Sequence, residues 1–166
     1  MVWLLSFLKG FFYAGRGVAA AVRQERNLRI HLTVAFYVTA AALLAELDRL
    51  KLAILCLCFG LVLGMELLNT AVERACDAID TKPNPLIQVA KDAAAGGVLL
   101  AAISTVLVGI LLFASHNVWQ TLWGNLISFP FFGVLLLLLF PLFLFWIIHT
   151  APTSRPNASS PPSEQE

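Results

Sequence analysis

Four long, largely apolar stretches alternate with short polar segments along the chain, and each is long enough for a membrane-spanning helix. They cover residues 30–47, 52–80, 86–115 and 126–149. A helix needs about 20 predominantly apolar residues to cross the hydrocarbon core of a bilayer. A charged turn separates the first two stretches, and Pro83 and Pro85 break the chain between the second and third. The pattern predicts an all-α integral membrane protein.

The remaining segments follow other patterns. Residues 1–24 combine aromatic side chains with Lys9, Arg16 and Arg23, which predicts an amphipathic helix lying in the membrane interface. Residues 116–124 are polar with two tryptophans and are predicted to connect the third and fourth spans. Residues 151–166 are rich in proline and serine without apolar periodicity, and we expect them to be disordered.

Composition supports a membrane protein and narrows its partners. The 166 residues are 59% hydrophobic and 13% charged, against about half and a quarter in soluble domains. The net charge of +1 excludes a strongly basic tail for binding nucleic acid.

The basic residues also predict the orientation in the membrane. If the N-terminus lies in the cytoplasm, two of the basic residues before the tail face outward, Arg49 and Lys51. The positive-inside rule therefore predicts a cytoplasmic N-terminus, with the other eight on that side: Lys9, Arg16, Arg23, Arg26, Arg29, Arg74, Lys82 and Lys91.

The second span carries a polar stripe that we call the acidic ladder. At 100° per residue its members fall within an arc of roughly 80° on one helix face. They are Glu66, Asn69, Glu73, Asp77 and Asp80. Carboxylates at membrane depth are expensive and usually face a cavity containing a cation or a basic group. Oxygen ligands of this kind favour Mg²⁺, which commonly binds one or two carboxylates together with the phosphates of a substrate.

Two further segments are predicted to meet the ladder. Lys91 and Asp92 begin the third span, which must run antiparallel to the second and so return Lys91 to the level of Glu73. A lysine beside an acidic metal site suits a polyphosphate. Glu25, at the junction between the interfacial helix and the first span, is expected at the same level.

Plainer interpretations remain open for several of these residues. Asp77 and Asp80 fit a solvated end of the helix equally well, and Lys91 fits an interfacial lysine whose amine reaches the membrane surface. The basic run from Arg23 to Arg29 is more typical of a topology anchor that binds anionic lipid. His31 lacks metal-ligand spacing, and packing at the interface is its expected role.

The chain resembles the prokaryotic diacylglycerol kinase family of small membrane lipid kinases in two segments. The first is ELLNTAVE at residues 66–73, followed by Asp77, and the second is KDAAAGGVLL at residues 91–100. The similarity covers residues 9–115. Glu25 to His31, with sequence ERNLRIH, resembles the undecaprenol kinase branch, because diacylglycerol kinases typically have a glutamate where His31 stands. The resemblance implies three spans of the lipid-kinase type, to which residues 126–149 add a fourth. It also implies a homotrimer with shared active sites.

Site residues follow from the same resemblance. Glu66 would be the general base that accepts the proton of the lipid hydroxyl, and Asn69 would orient the reacting phosphate. Glu25 and Glu73 would hold Mg²⁺ on ATP. Nucleotide contacts are implied for these two glutamates and for Tyr13, Lys82, Asn84, Lys91 and Asp92.

The sequence thus predicts an ATP-dependent kinase in the bacterial cell membrane that phosphorylates undecaprenol at the cytoplasmic face. The kinase domain would cover residues 25–116. Two alternatives are a diacylglycerol kinase that makes phosphatidic acid, and a non-enzymatic scaffold or ion-binding subunit whose acidic ladder is an ion site.

Overall fold

The computed structural model describes residues 2–79 and 84–149, and all the regular structure in these ranges is α-helical. The helices are α1 (Val2–Gln24), α2 (Arg26–Leu44), α3 (Arg49–Ile79), α4 (Pro85–Phe113), α5 (His116–Ser128) and α6 (Pro130–His149). Asp80, Lys82 and the tail at 151–166 lie outside the described residues. The disorder of the tail therefore stays a prediction.

Four of these helices, α2, α3, α4 and α6, are long and apolar enough to cross a membrane. This confirms the predicted all-α, multi-pass membrane architecture. Little of their apolar surface is covered by protein: 6% of the most apolar window in α4 is buried, and none in α6. Lipid tails are as apolar as leucine, so such faces need no protein cover in a bilayer.

The connection predicted at residues 116–124 is a helix, α5, which continues to Ser128. The last span consequently begins at Pro130 rather than at 126. Val118 of α5 is buried, whereas Trp119 and Trp123 on the same helix are exposed. A short amphipathic helix has a polar composition similar to that of a loop, which explains why the sequence pattern did not distinguish the two.

The turn between α2 and α3 folds them into a tight antiparallel hairpin. The N–H of Leu47 donates to the carbonyl of Ala42, and Glu46 adopts the left-handed φ of 53° that this helix-ending motif requires. Asp48 then caps α3, because its Oδ1 accepts a hydrogen bond of 3.0 Å from the N–H of Lys51. This hydrogen bond, together with the ammonium of Lys51, holds the pKa of Asp48 below its usual value.

The hairpin defines the two ends of the helix bundle. We call the end where α3 finishes and α4 begins the proximal end, and the end containing the α2–α3 turn the distal end. Helices α3 and α4 pack closely and antiparallel: a Cβ placed on Gly97 would meet the Met65 methyl group at 2.5 Å. Further along, the Thr105 hydroxyl donates to the carbonyl of Cys58 at 3.3 Å. The main buried apolar cluster lies at the distal end and comprises Ala42, Ala45, Leu47, Leu55 and Val118.

Helices α5 and α6 are attached to α2 by polar groups as well as by apolar packing. The Asn125 amide of α5 donates to the Leu44 carbonyl at 2.8 Å and to Glu46 Oε1 at 3.1 Å. The Tyr37 hydroxyl donates to the Leu136 carbonyl of α6 at 3.0 Å, and its ring contacts that of Phe143. The last two helices are therefore docked on a defined face of α2.

We expect Asn125→Ala to destabilise the protein by about 1 kcal/mol, because the Leu44 carbonyl loses its side-chain donor. The measurement is the thermal unfolding midpoint in detergent. Asn117→Ala is the matched control, since Asn117 is an exposed residue of the same helix and surface changes usually stay within about 0.5 kcal/mol. Equal midpoints for the two variants would contradict the proposed role of Asn125.

Candidate active site

The centre of the site is the carboxylate of Glu66, which is buried between α2 and α3. The residue is 3% exposed, and its Oε1 lies 3.4 Å from His31 Nε2. Leu28 of α2 and Val62 of α3 are also buried near this level of the hairpin. A buried carboxylate needs a partner, and the imidazole of His31 is the group that faces it across the α2–α3 interface.

Asn69 and Glu73 continue the acidic ladder from Glu66 toward the proximal end. The Asn69 amide donates to Glu73 Oε1 at 3.1 Å. Asn69 Oδ1 is buried and has no hydrogen-bond partner among the described residues. Buried polar atoms are nearly always paired, so this oxygen is available to a ligand.

Glu25 reaches the same region from the junction between α1 and α2. Its Oε1 lies 3.7 Å from an Arg74 guanidinium nitrogen, and that guanidinium also donates to Gln24 Oε1 at 2.6 Å. The structure thus links Glu25 to α3, the helix that carries Glu66 and Glu73, through Arg74.

Lys91 joins the ladder one helical turn beyond its predicted level. Its Nζ lies 2.5 Å from Asp77 Oδ1 rather than beside Glu73. Both partners are partly exposed, so solvent screens the pair and its contribution to stability is small. Asp92 is exposed and accepts a hydrogen bond of 2.7 Å from Gln88.

The other predicted nucleotide contacts lie on separate elements. Tyr13 is exposed on α1, where its ring contacts that of Phe12. Asn84 caps α4, because its Oδ1 accepts a hydrogen bond of 3.0 Å from the N–H of Leu86. This gives Asn84 a structural role that the sequence analysis did not include. Lys82 lies outside the described residues.

The donor set fits Mg²⁺ bound together with a polyphosphate. Among residues 2–79 and 84–149, no group of three or more His, Cys, Asp or Glu side chains forms a preformed metal site. Mg²⁺ commonly takes only one or two carboxylates and completes its coordination with phosphates and water. Glu25 and Glu73 could supply such carboxylates, and the unpaired Asn69 oxygen lies beside Glu73.

Sequence analysis missed the contacts of three side chains. His31, which was expected to pack at the interface, pairs with Glu66. Arg74 was counted only for topology, yet it links Glu25 to α3. Arg29 is 1% exposed and donates to the Arg23 carbonyl at 3.2 Å, so it is not a surface anchor for lipid.

Comparison with known proteins identifies the family. The profile of the family described as prokaryotic diacylglycerol kinase matches residues 12–113, more than half of the chain. The chain belongs to this family. The protein is therefore a lipid kinase, which implies ATP as its phosphoryl donor, and the alternative of a non-enzymatic scaffold or ion-binding subunit is not supported. The matched segment ends with α4, so α5 and α6 lie beyond it.

Individual members of the prokaryotic diacylglycerol kinase family carry two names. The chain is 41% identical over 107 residues to the undecaprenol kinase of Bacillus subtilis, covering 64% of this chain and 87% of that protein. It is 44% identical over 105 residues to the diacylglycerol kinase of Synechocystis, covering 63% and 60%. A Helicobacter pylori diacylglycerol kinase is 27% identical over 125 residues, covering 75% and 87%. No solved structure gives a significant match.

A double-mutant cycle on His31 and Glu66 tests their pairing. We expect His31→Gln alone to lower stability by about 1–3 kcal/mol, because it leaves the buried carboxylate without its imidazole partner. Adding Glu66→Gln should recover part of that loss, since two amides can share a hydrogen bond. The measurement is thermal unfolding in detergent for all four proteins. Additive effects of the two substitutions would show that the side chains do not interact.

Proposed function

We propose that this protein transfers the γ-phosphate of ATP to the hydroxyl group of undecaprenol at the cytoplasmic face of the bacterial membrane. The observation that carries the proposal is the buried Glu66 carboxylate, with the polar groups of Asn69 and Glu73 following it toward the proximal end. The 41% identity to an undecaprenol kinase supports the same acceptor.

Glu66 is the proposed general base. The acceptor hydroxyl, held at membrane depth, gives its proton to Glu66 as its oxygen attacks the γ-phosphorus. The bond between that phosphorus and the oxygen of ADP breaks, and ADP leaves. A base within reach of the attacking hydroxyl and a set of charges that position the phosphate are the main requirements of phosphoryl transfer.

The nucleotide would bind on the proximal side of this base. Glu73 lies about 10 Å from Glu66 along the helix axis, at 1.5 Å per residue, which separates a deep acceptor hydroxyl from a shallower triphosphate. Mg²⁺ held by Glu25 and Glu73 would neutralise phosphate charge there. Asn69 lies between these two levels and would orient the transferred phosphate.

Lys91 would contribute to nucleotide binding if its ammonium group left Asp77 and paired with a phosphate oxygen instead. The present pair is partly exposed and therefore weak enough to be replaced. Asp92, Tyr13, Asn84 and Lys82 are the remaining proposed nucleotide contacts. Asn84 would act mainly by fixing the start of α4, because its side chain already caps that helix.

Assembly and orientation complete the proposal. The exposed apolar faces of α3 and α4 are compatible with a homotrimer in which neighbouring chains share each site. The distribution of basic residues supports a cytoplasmic N-terminus, and with it a cytoplasmic position for the proximal end and its acidic ladder.

A diacylglycerol kinase is the second candidate, because the similarity to the Synechocystis diacylglycerol kinase reaches 44% identity. The feature that favours undecaprenol is His31, which pairs with Glu66 at the position where the resemblance implies a glutamate in diacylglycerol kinases. The two candidates share the base and the nucleotide site and differ only in the acceptor.

We expect Glu66→Gln to abolish lipid phosphorylation while leaving ATP binding largely intact, because the amide cannot accept the hydroxyl proton. Glu73→Gln should instead weaken Mg²⁺-dependent ATP binding. Transfer of radiolabelled phosphate and nucleotide binding are measured on the same purified variants. Glu46→Gln is a control carboxylate at the distal end. Retained turnover in Glu66→Gln would eliminate Glu66 as the base.

The acceptor profile decides between the two lipid kinases. Purified protein in mixed micelles receives undecaprenol and diacylglycerol separately, with Mg²⁺ and radiolabelled ATP. We expect kcat/KM for undecaprenol to exceed that for diacylglycerol by at least about tenfold, which corresponds to about 1.4 kcal/mol of discrimination. Faster labelling of diacylglycerol would contradict undecaprenol as the acceptor.

A further inference from the structure

A large apolar cavity lies on the distal side of the candidate active site, away from the nucleotide region. Its volume is about 660 Å³, and it is bounded by α2, α3, α4 and α5. Ligand sites for small molecules typically measure about 300–1,000 Å³. The lining residues used below are Val38, Ala41, Phe59, Gly109, Ile110 and Trp119.

The cavity lies along the same faces of α2 and α3 that carry His31 and Glu66. On α2, Val34, Val38 and Ala41 follow His31 at spacings of three and four residues, so they share its helix face. On α3, Phe59 precedes Glu66 by two helical turns on the same face, about 10 Å away. Between these two levels of α3 lies the buried side chain of Val62.

The lining chemistry favours a hydrocarbon occupant. Tyr37 and Thr105 supply the lining hydroxyl groups, and both already donate to backbone carbonyls, of Leu136 and Cys58 respectively. A cavity whose hydroxyl groups are already paired offers little to water and gains free energy when apolar surface fills it.

Helix α5 lines the distal end of this cavity. Trp119 of α5 contributes to the lining, and Asn125 ties the same helix to the end of α2. Since α5 lies outside the family match at residues 12–113, this part of the lining comes from the C-terminal segment of this chain.

We propose that the cavity binds the isoprenoid chain of the lipid acceptor, with the units nearest the hydroxyl lying between Glu66 and Trp119. This inference rests on the proposed function and extends it from the acceptor hydroxyl to the tail. A chain attached to a hydroxyl at Glu66 would reach the cavity along the shared α2–α3 face, past Val62. A polyprenol has one chain, whereas the two acyl chains of diacylglycerol diverge from one headgroup.

Gly109→Leu tests the proposal by filling the cavity. A Cβ at Gly109 meets no atom within 4 Å, so a leucine enters open space, and replacing glycine within α4 favours the helix. We expect the KM for undecaprenol to rise about tenfold. The KM for ATP should not change, nor should activity toward dimethylallyl alcohol, whose single isoprene unit is too short to reach Gly109. Leu107→Phe adds bulk to the exposed opposite face of α4 and is the matched control.

The outcomes separate this proposal from the proposed function. If the wild-type protein phosphorylates undecaprenol and Gly109→Leu matches its KM, the cavity proposal fails and the function stands. If the wild-type protein accepts diacylglycerol but not undecaprenol, both fail. If Gly109→Leu impairs both prenols equally and changes the oligomer size in detergent, the cavity is filled by a second copy of the chain and the proposal is wrong.

A binding measurement gives a readout that does not depend on turnover. A polyprenol carrying a diazirine on its chain should label peptides containing Ile110 or Trp119 in the wild-type protein, and Gly109→Leu should reduce this labelling severalfold. Labelling spread evenly over the exposed faces of α4 and α6 would overturn the proposal, because those faces contact any membrane lipid.

Discussion

Burying a carboxylate between two membrane helices costs free energy, and much of this protein is arranged around the buried carboxylate of Glu66. In a medium as apolar as the α2–α3 interface, the charge needs a partner at contact distance. His31 supplies it at 3.4 Å. Because these residues belong to different helices, their pairing requires the register of the hairpin, which the motif at Glu46 and the Asp48 cap fix at the opposite end.

The same constraint separates the functions of the two ends. Polar and charged side chains gather at the proximal end, where Glu25, Arg74 and Lys91 connect α1, α2 and α4 to the ladder on α3. Toward the distal end, the hydroxyls of Tyr37 and Thr105 are bonded to carbonyls, which leaves an apolar interior. A kinase that transfers a phosphoryl group from a water-soluble nucleotide to a membrane alcohol needs such a gradient, and Glu66 lies at the boundary between its two halves.

Much of this organisation could be predicted from the sequence. The length of each apolar stretch indicates a membrane span, and the periodicity of an α-helix is enough to place the residues of the acidic ladder within an arc of about 80°. The spans, the ladder and its main residues follow from these rules. Contacts between helices depend on register and rotation, which one sequence does not specify. For this reason Lys91 is found beside Asp77 instead of Glu73, and the pairings of His31 and Arg74 are visible only in the structure. The helical state of α5 depends on burial of Val118 by α2 and α3, a tertiary effect that local composition does not record.

Contacts with α2 determine where the C-terminal helices α5 and α6 pack. In lipid, apolar packing alone gives little preference for one helix face over another. Polar contacts are therefore needed to hold α5 and α6 in a defined position. Asn125 and Tyr37 provide them by donating to backbone carbonyls on the partner helix. Because backbone carbonyls are present whatever the side chain, these contacts fix the position of α5 without introducing a new buried charge. Helix α5 is thereby held against the distal end of the α2–α4 bundle, opposite the end that carries the acidic ladder.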